Sequence, residues 1–244
     1  MRLFLVIAFS FLSLTAFSQR VRVRNIPEHD FKAIHFGFTL GLNTMDFKIK
    51  SSQYAVDNDF YGEVSRLSPG FNINIVSNFR LDRHFDLRLL PGVAFGQRKI
   101  DYYTMDGRPL PGSGEGDDGS APRLAGSQNM ESSFIEFPVI IKYKSVRIDN
   151  YRPYLIGGLN FRYDLARNFS EEDEIFLRLR PFDIYLETGF GIDFYLPYFK
   201  FSTELKYAMG FLNMVDYQPN SQPRYQNALG KLNSHLVILS FHFE

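Results

Sequence analysis

The stretch Ile34–Asn43, IHFGFTLGLN, alternates strictly. Ile34, Phe36, Phe38, Leu40 and Leu42 are large and apolar, and the residues between them, His35, Gly37, Thr39, Gly41 and Asn43, are mostly small or polar. Side chains of a β-strand point to opposite faces with a period of two, so this segment reads as a strand with one greasy face and one bare face. The fold turns on which solvent each face meets.

The same dyad recurs along the chain. Pro69–Leu81 alternates Phe71, Ile73 and Ile75 with Asn72 and Asn74. Phe85–Arg98 sets Phe85, Leu87, Leu89, Val93 and Phe95 against Asp86, Arg88, Gly92, Ala94 and Gly96. Ser133–Lys144, Tyr151–Asp164, Asp183–Tyr195, Lys200–Phe211 and His235–Glu244 follow the same rule, giving eight period-two segments in all. Each is long enough for a tilted strand of ~9–11 residues to cross a bilayer, and none shows a helical period. Short connections (LDRH, SVRIDN, LPYF) alternate with long polar ones, the longest around Thr104–Asn129 and containing PLPGSGEGDDGSAP. Short turns on one side and long loops on the other are the pattern of an outer-membrane barrel. The sequence therefore predicts an all-β, eight-stranded antiparallel up-and-down transmembrane β-barrel, with short periplasmic turns, long extracellular loops and both termini periplasmic.

Glycine separates this reading from a soluble, lipocalin-like barrel, whose apolar face points inward. Gly37, Gly41, Gly92, Gly96, Gly158, Gly189, Gly191 and Gly210 sit on the polar faces. A water-facing strand gains nothing from glycine, which weakens strands, whereas the narrow lumen of an eight-stranded barrel needs small residues. The apolar face then meets lipid, and ring closure satisfies every backbone polar group, as hydrocarbon demands. Tyr143, Tyr151, Tyr154, Tyr163, Tyr195 and Tyr198 fall near strand ends, where an aromatic girdle is expected.

The N-terminus agrees. Arg2, the apolar run Leu3–Phe17 and the small residues of Ala16-Phe17-Ser18 make residues 1–18 a secretory signal peptide. The apolar run falls short of the ~18 residues usual for a spanning helix. No Cys follows the cleavage point, so this is not a lipoprotein signal. Residues 19–31, QRVRVRNIPEHDF, form a periplasmic N-terminal arm, and residues 32–244 the barrel. The arm is expected to be disordered. Its alternating Arg20, Arg22 and Arg24 also suit addition to a partner's sheet edge, which makes them a partner-binding candidate.

Composition closes off several classes. Net charge is zero, which gives no basic footprint for nucleic acid. There is no Cys among the 244 residues, so disulfides, thiol catalysis and thiolate metal sites are excluded. The five His are scattered without metal-ligand spacing, and GEGDDG lacks the ligand spacing of a calcium loop. Ser234 and His235 are adjacent and so face opposite sides of a strand; no nucleophile–base pair emerges. No catalytic residue, metal or cofactor is expected.

Charges on the polar face are the remaining candidates: Glu136, Lys142, Arg162, Glu187, Asp193, Lys200, Glu204 and Lys206. Inside a narrow barrel such groups are costly unless paired. Neighbouring strands offer Glu136 with Arg162 and Glu187 with Lys206. Such a network serves either as a structural plug that holds strand register or as a proton or solute path, and the first is the simpler expectation.

Taken together, the stretches HFGFTLGLN (His35–Asn43), SPGFNINIVSNFRL (Ser68–Leu81), FDLRLLPGVAFGQR (Phe85–Arg98), ESSFIEFPVIIKYKS (Glu131–Ser145), YRPYLIGGLNFRYDL (Tyr151–Leu165), ETGFGIDFYLPYFKFSTELKYAMG (Glu187–Gly210) and SFHFE (Ser240–Glu244) resemble the PorT family of Bacteroidetes. The resemblance implies an outer-membrane barrel of the porin family that takes part in type IX protein secretion, linked in some relatives to gliding motility, with other secretion-system proteins and outer-membrane lipid as partners. It brings no catalytic residues. An eight-stranded lumen is only about wide enough for its own side chains, so the implied role is accessory or in assembly rather than that of the conduit. The alternatives are a structural or ligand-binding outer-membrane barrel without a secretion role, and a soluble periplasmic binding barrel.

Overall fold

The computed structural model describes residues 23–64, 68–104, 123–166, 177–216 and 223–244. Residues 1–18, expected from sequence to be a signal peptide, Arg20, Arg22 and the Gly/Asp-rich tract 109–122 lie outside them. The described chain is built on ten antiparallel strands: β1 (Ile34–Ser51), β2 (Phe60–Val64), β3 (Ser68–Arg80), β4 (Phe85–Leu89), β5 (Gly92–Thr104), β6 (Arg123–Lys144), β7 (Tyr151–Asp164), β8 (Phe182–Tyr195), β9 (Lys200–Gly210) and β10 (Leu229–Phe243).

Ten strands stand where the sequence predicts eight, because the expected strand Phe85–Arg98 is divided in two and β2 forms within the segment that the sequence reads as a long loop. Only Leu90 and Pro91 separate β4 from β5, and both pieces pair with β3 and with β6 in a register that carries unchanged across the break. Pro91 has no N–H for the ladder, yet its carbonyl still accepts from Ile75 N at 2.9 Å. Likewise β2 continues along β5 where β3 leaves off, with Val64 opposite Ile100 and Phe71 opposite Phe95. Counted as staves, the sheet has eight members, and β1 pairs with both β10 and β3, so the pairings run in a ring. A ring leaves no strand edge to expose unpaired N–H and C=O groups to lipid.

The faces divide as the alternation demands. Phe36, Phe38, Leu40, Leu42, Ile73, Ile75, Leu155, Phe190 and Val237 are exposed on the outside, while Arg88, Lys142 and Glu187 are fully buried within. An apolar surface this continuous is foreign to a water-soluble monomer and matches a lipid-facing band. Cross-strand partners on that surface pack ring against ring: Phe38 on Phe243 at 4.8 Å, Phe71 on Phe95 at 4.9 Å and Phe85 on Tyr143 at 5.1 Å. Of the girdle tyrosines, Tyr143, Tyr151, Tyr163 and Tyr198 are exposed, but Tyr154 and Tyr195 are buried. Their parity explains the difference: each sits one residue from an outward side chain, Leu155 and Phe194 respectively, and so points inward.

The strands outrun the membrane on the long-loop side. β6 has 22 residues and β1 has 18, about twice what a crossing needs. Arg123–Asn129, read from sequence as loop, pair with Lys99–Thr104 across a bulge at Tyr102/Tyr103. That segment lacks a dyad because no lipid faces it. Its interior holds an apolar plug in which Phe47, Phe60, Ile100, Tyr102, Met130, Met214, Leu229 and Leu232 are all buried together. Helical turns Gln53–Asp57 and Pro223–Ala228 close over it. Ser52 caps the first turn by accepting from Ala55 N and donates its hydroxyl to the Asn227 carbonyl of the second.

Ile73→Arg, in mid-strand on the lipid face, is expected to destabilise the barrel by about 2–4 kcal/mol, whereas Leu124→Arg, on the projecting part of β6, should cost no more than about 1 kcal/mol. Reversible urea unfolding from lipid vesicles measures both; equal costs would contradict the placement of the membrane band.

Candidate functional site

The lumen is filled at mid-height by ionised side chains. Arg162 Nη2 lies 2.7 Å from Glu136 Oε2 and 3.6 Å from Glu187 Oε1. Lys206 Nζ lies 3.3 Å from Glu187 Oε2 and 3.9 Å from Glu204 Oε1. Asn160 Nδ2 donates to both Glu136 and Glu187, at 3.1 and 2.6 Å, and Asn74 Nδ2 donates to Glu136 at 2.6 Å. Lys142 Nζ is held by both oxygens of Asp193, at 2.7 and 2.8 Å, and sits 3.7 Å above the Tyr154 ring. All eight lumen candidates from the sequence, Glu136, Lys142, Arg162, Glu187, Asp193, Lys200, Glu204 and Lys206, are buried.

Sequence reasoning missed its longest span. Arg88 on β4 reaches Glu204 on β9 at 3.1 Å and Glu244 at 3.1 Å. In the ring, β4 and β9 are four staves apart by either route, so this pair crosses the full width of the lumen. Glu244 also takes Lys200 at 2.7 Å, and Glu204 takes His242 at 3.3 Å. Arg98 spans to Ser234 at 3.0 Å and Ser132 at 2.5 Å. Parity alone places Arg88, Arg98, His242 and Glu244 inside, but Arg88 and Arg98 reach Glu204 and Ser234 on strands that are not their neighbours, which hid those pairings. Two glycines leave room for lumen side chains. A Cβ on Gly41 would strike the Asn72 amide, and one on Gly191 would strike the Tyr154 ring.

The periplasmic end carries a third closure. Far from being disordered, the described part of the arm folds into a 3-10 helix, Pro27–Phe31, tucked against the barrel mouth. Asn25 donates to Asn150 Oδ1 at 2.8 Å and to the Tyr195 carbonyl at 2.9 Å, and its own carbonyl accepts from Arg147 at 2.5 Å. Asp30 accepts from Tyr195 Oη at 2.7 Å and meets Arg152 at 3.1 Å and Arg147 at 3.4 Å. His29 stacks on His35 at 3.9 Å. Burial first, then Lys200 and His35, push the His29 imidazole down to about 3. Burial raises the Asp30 carboxyl, but Tyr195, Arg152 and Arg147 together outweigh it and hold the group below the ordinary carboxylate range. Arg24, the one candidate arm arginine among the described residues, is exposed and lines a cavity at this mouth.

Ser234 points inward to Arg98, and His235 points outward to Tyr207 Oη at 2.5 Å. Among the described residues no cluster of His, Asp and Glu has the arrangement of a metal site.

A ring of antiparallel staves with lipid outside and paired charges inside defines an outer-membrane β-barrel protein. Residues 17–216 match the outer membrane protein beta-barrel domain family, and the chain belongs to that family. Comparison with curated proteins gives no match. Among solved structures, the chain is similar to neisserial surface protein A, at 11% identity over 86% of this chain and 98% of that one, with a TM-score of 0.40. It is similar also to the outer membrane protein OprG of Pseudomonas aeruginosa (13% identity, 85% and 92%, TM-score 0.43) and to the outer membrane protease OmpT of Escherichia coli (9% identity, 86% and 95%, TM-score 0.38).

Arg88→Met strands the carboxylates of Glu204 and Glu244 on that side and is expected to cost about 3–5 kcal/mol in vesicle unfolding, as breaking a buried ion pair does; a loss under 1 kcal/mol would mean the cross-lumen contact does not bear on stability. Arm docking should depend on pH. The His29 imidazole is lowered in the docked state, so the undocked arm binds more protons as pH falls, and docking should be constant above about 6.5 and weaken from there toward about 3. A spin label at Val23 reads the release; His29→Gln should flatten the profile above the ordinary carboxylate range, leaving only the release at lower pH that protonation of Asp30 brings, and release on raising the pH would contradict the assignment.

Proposed function

We propose that this outer-membrane barrel serves protein export as an accessory or assembly component of the type IX secretion system, engaging other secretion proteins through its periplasmic arm and loops rather than passing cargo. One observation carries the accessory role: the described barrel is stopped at three levels, by the apolar plug, the Arg88–Glu204 crossing and the docked arm. A chain of cargo has no route through such a lumen. The assignment to type IX export rests on the sequence resemblance. On this reading the lumen network is structural, not catalytic and not a proton path: ions in a sealed lumen gain little net stability against an apolar filling, and what they supply is a fixed register between staves.

The test is a deletion strain of the source organism. Cargo bearing C-terminal sorting domains should fail to reach the surface, and the intact gene should restore it. A copy with Arg20, Arg22 and Arg24 changed to Gln should restore barrel levels in the outer membrane but not export. Normal export in the deletion strain, with altered binding of external ligands instead, would reject the proposal in favour of a structural or ligand-binding barrel.

A further inference from the structure

The periplasmic mouth holds a cavity of about 390 Å³ whose lining is strongly basic. Arg24 and the 3-10 helix form one wall, Arg80, Arg83 and His84 from the β3–β4 turn a second, and Lys144, Arg147 and Arg152 from the β6–β7 hairpin a third. Asp30 is the single carboxylate in that lining, and it is already engaged by Arg147, Arg152 and Tyr195. Lys144 is satisfied by Asp86 at 2.5 Å. Among the described residues Arg24, Arg80 and Arg83 have no carboxylate partner, and Arg152 Nε has no hydrogen-bond partner. The folded protein thus gathers more cations here than it neutralises. Such convergence is unfavourable by itself, and an anion is what relieves it. Arginine forks suit a tetrahedral phosphate or a carboxylate, gripping it through paired N–H donors.

The surroundings decide between those anions. Phe31 and Val146 line the same cavity and are 77% and 59% exposed, and Leu81 beside Arg80 is 60% exposed. A ligand that satisfies both halves carries a negative head and an apolar body. Apart from the arm and Arg152, the lining comes from the ends of β3 and β6 and the turns that follow them, beside the exposed Leu81, Phe85 and Tyr143 of the outward apolar face. Headgroups of the inner leaflet are expected where such a face gives way to short turns.

We infer that this cavity binds the phosphate of an anionic phospholipid headgroup from the inner leaflet, with Arg80 and Arg83 as the principal ligands and Phe31 and Val146 against the acyl chains. The lipid then lies against the docked arm and braces it. This inference is independent of the export role: it needs only the barrel's place in the membrane.

The test uses the full mature chain in zwitterionic detergent, analysed by native mass spectrometry with phosphatidylglycerol, phosphatidylcholine, inorganic phosphate or a hexaglutamate peptide added singly. The wild type should retain one phosphatidylglycerol in preference to phosphatidylcholine. Arg80→Gln with Arg83→Gln should cut that preference about tenfold or more, each cation near a lipid surface contributing a several-fold factor. Lys231→Gln, at the far end of the barrel, should leave it unchanged, and unaltered unfolding of all variants excludes a folding defect. Absence of a preference, or one indifferent to the arginine changes, overturns the site. Retention of inorganic phosphate without phosphatidylglycerol overturns the lipid as its source, and retention of hexaglutamate alone would assign the cavity to an acidic protein partner.

Discussion

Hydrocarbon offers no partner to a backbone N–H or C=O, and every other feature of this molecule follows from that constraint. The staves must close into a ring, and β1 does so by pairing with β10 and β3 at once. Eight staves enclose a lumen only about as wide as side chains. The outer face must be greasy, so the dyad sends the ionised residues of the membrane band, Arg88, Lys142 and Glu187 among them, inward. Charges crowded there are tolerable only in pairs, which is why Arg88 reaches across to Glu204 and Lys142 is clasped by Asp193.

Much of this was legible in the sequence, for a definable reason. Period-two alternation fixes the face of each residue, and sequential antiparallel strands are neighbours. Parity and adjacency together therefore place Glu136 beside Arg162 and Glu187 beside Lys206, and the structure sets them at 2.7 and 3.3 Å. Contacts that are not between neighbours were illegible. Arg88 meets Glu204 across 116 residues and Asp30 meets Tyr195 across 165, and no local pattern announces either. The β4–β5 break also lay beyond reach, since an interruption at Leu90-Pro91 that preserves register leaves the alternation intact.

The two ends were misjudged for opposite reasons. On the loop side, Arg123–Asn129 lack the dyad because neither lipid nor a charged lumen imposes one, so hairpin continuity alone makes them strand. On the periplasmic side, the arm's polar composition suggests disorder, but Asn25, His29 and Asp30 find buried partners in the mouth that a local reading cannot supply. Both ends turn out to be closures, and with the ionic mid-section they fill the described barrel along its length.

The most direct measurement is single-channel conductance of the folded protein in a planar bilayer at neutral pH. No steady ion conductance above the bare membrane is expected, because charge pairs cross the lumen between opposite staves. A stable open level, or passage of uncharged solutes of oligosaccharide size, would show a continuous aqueous path and contradict that expectation.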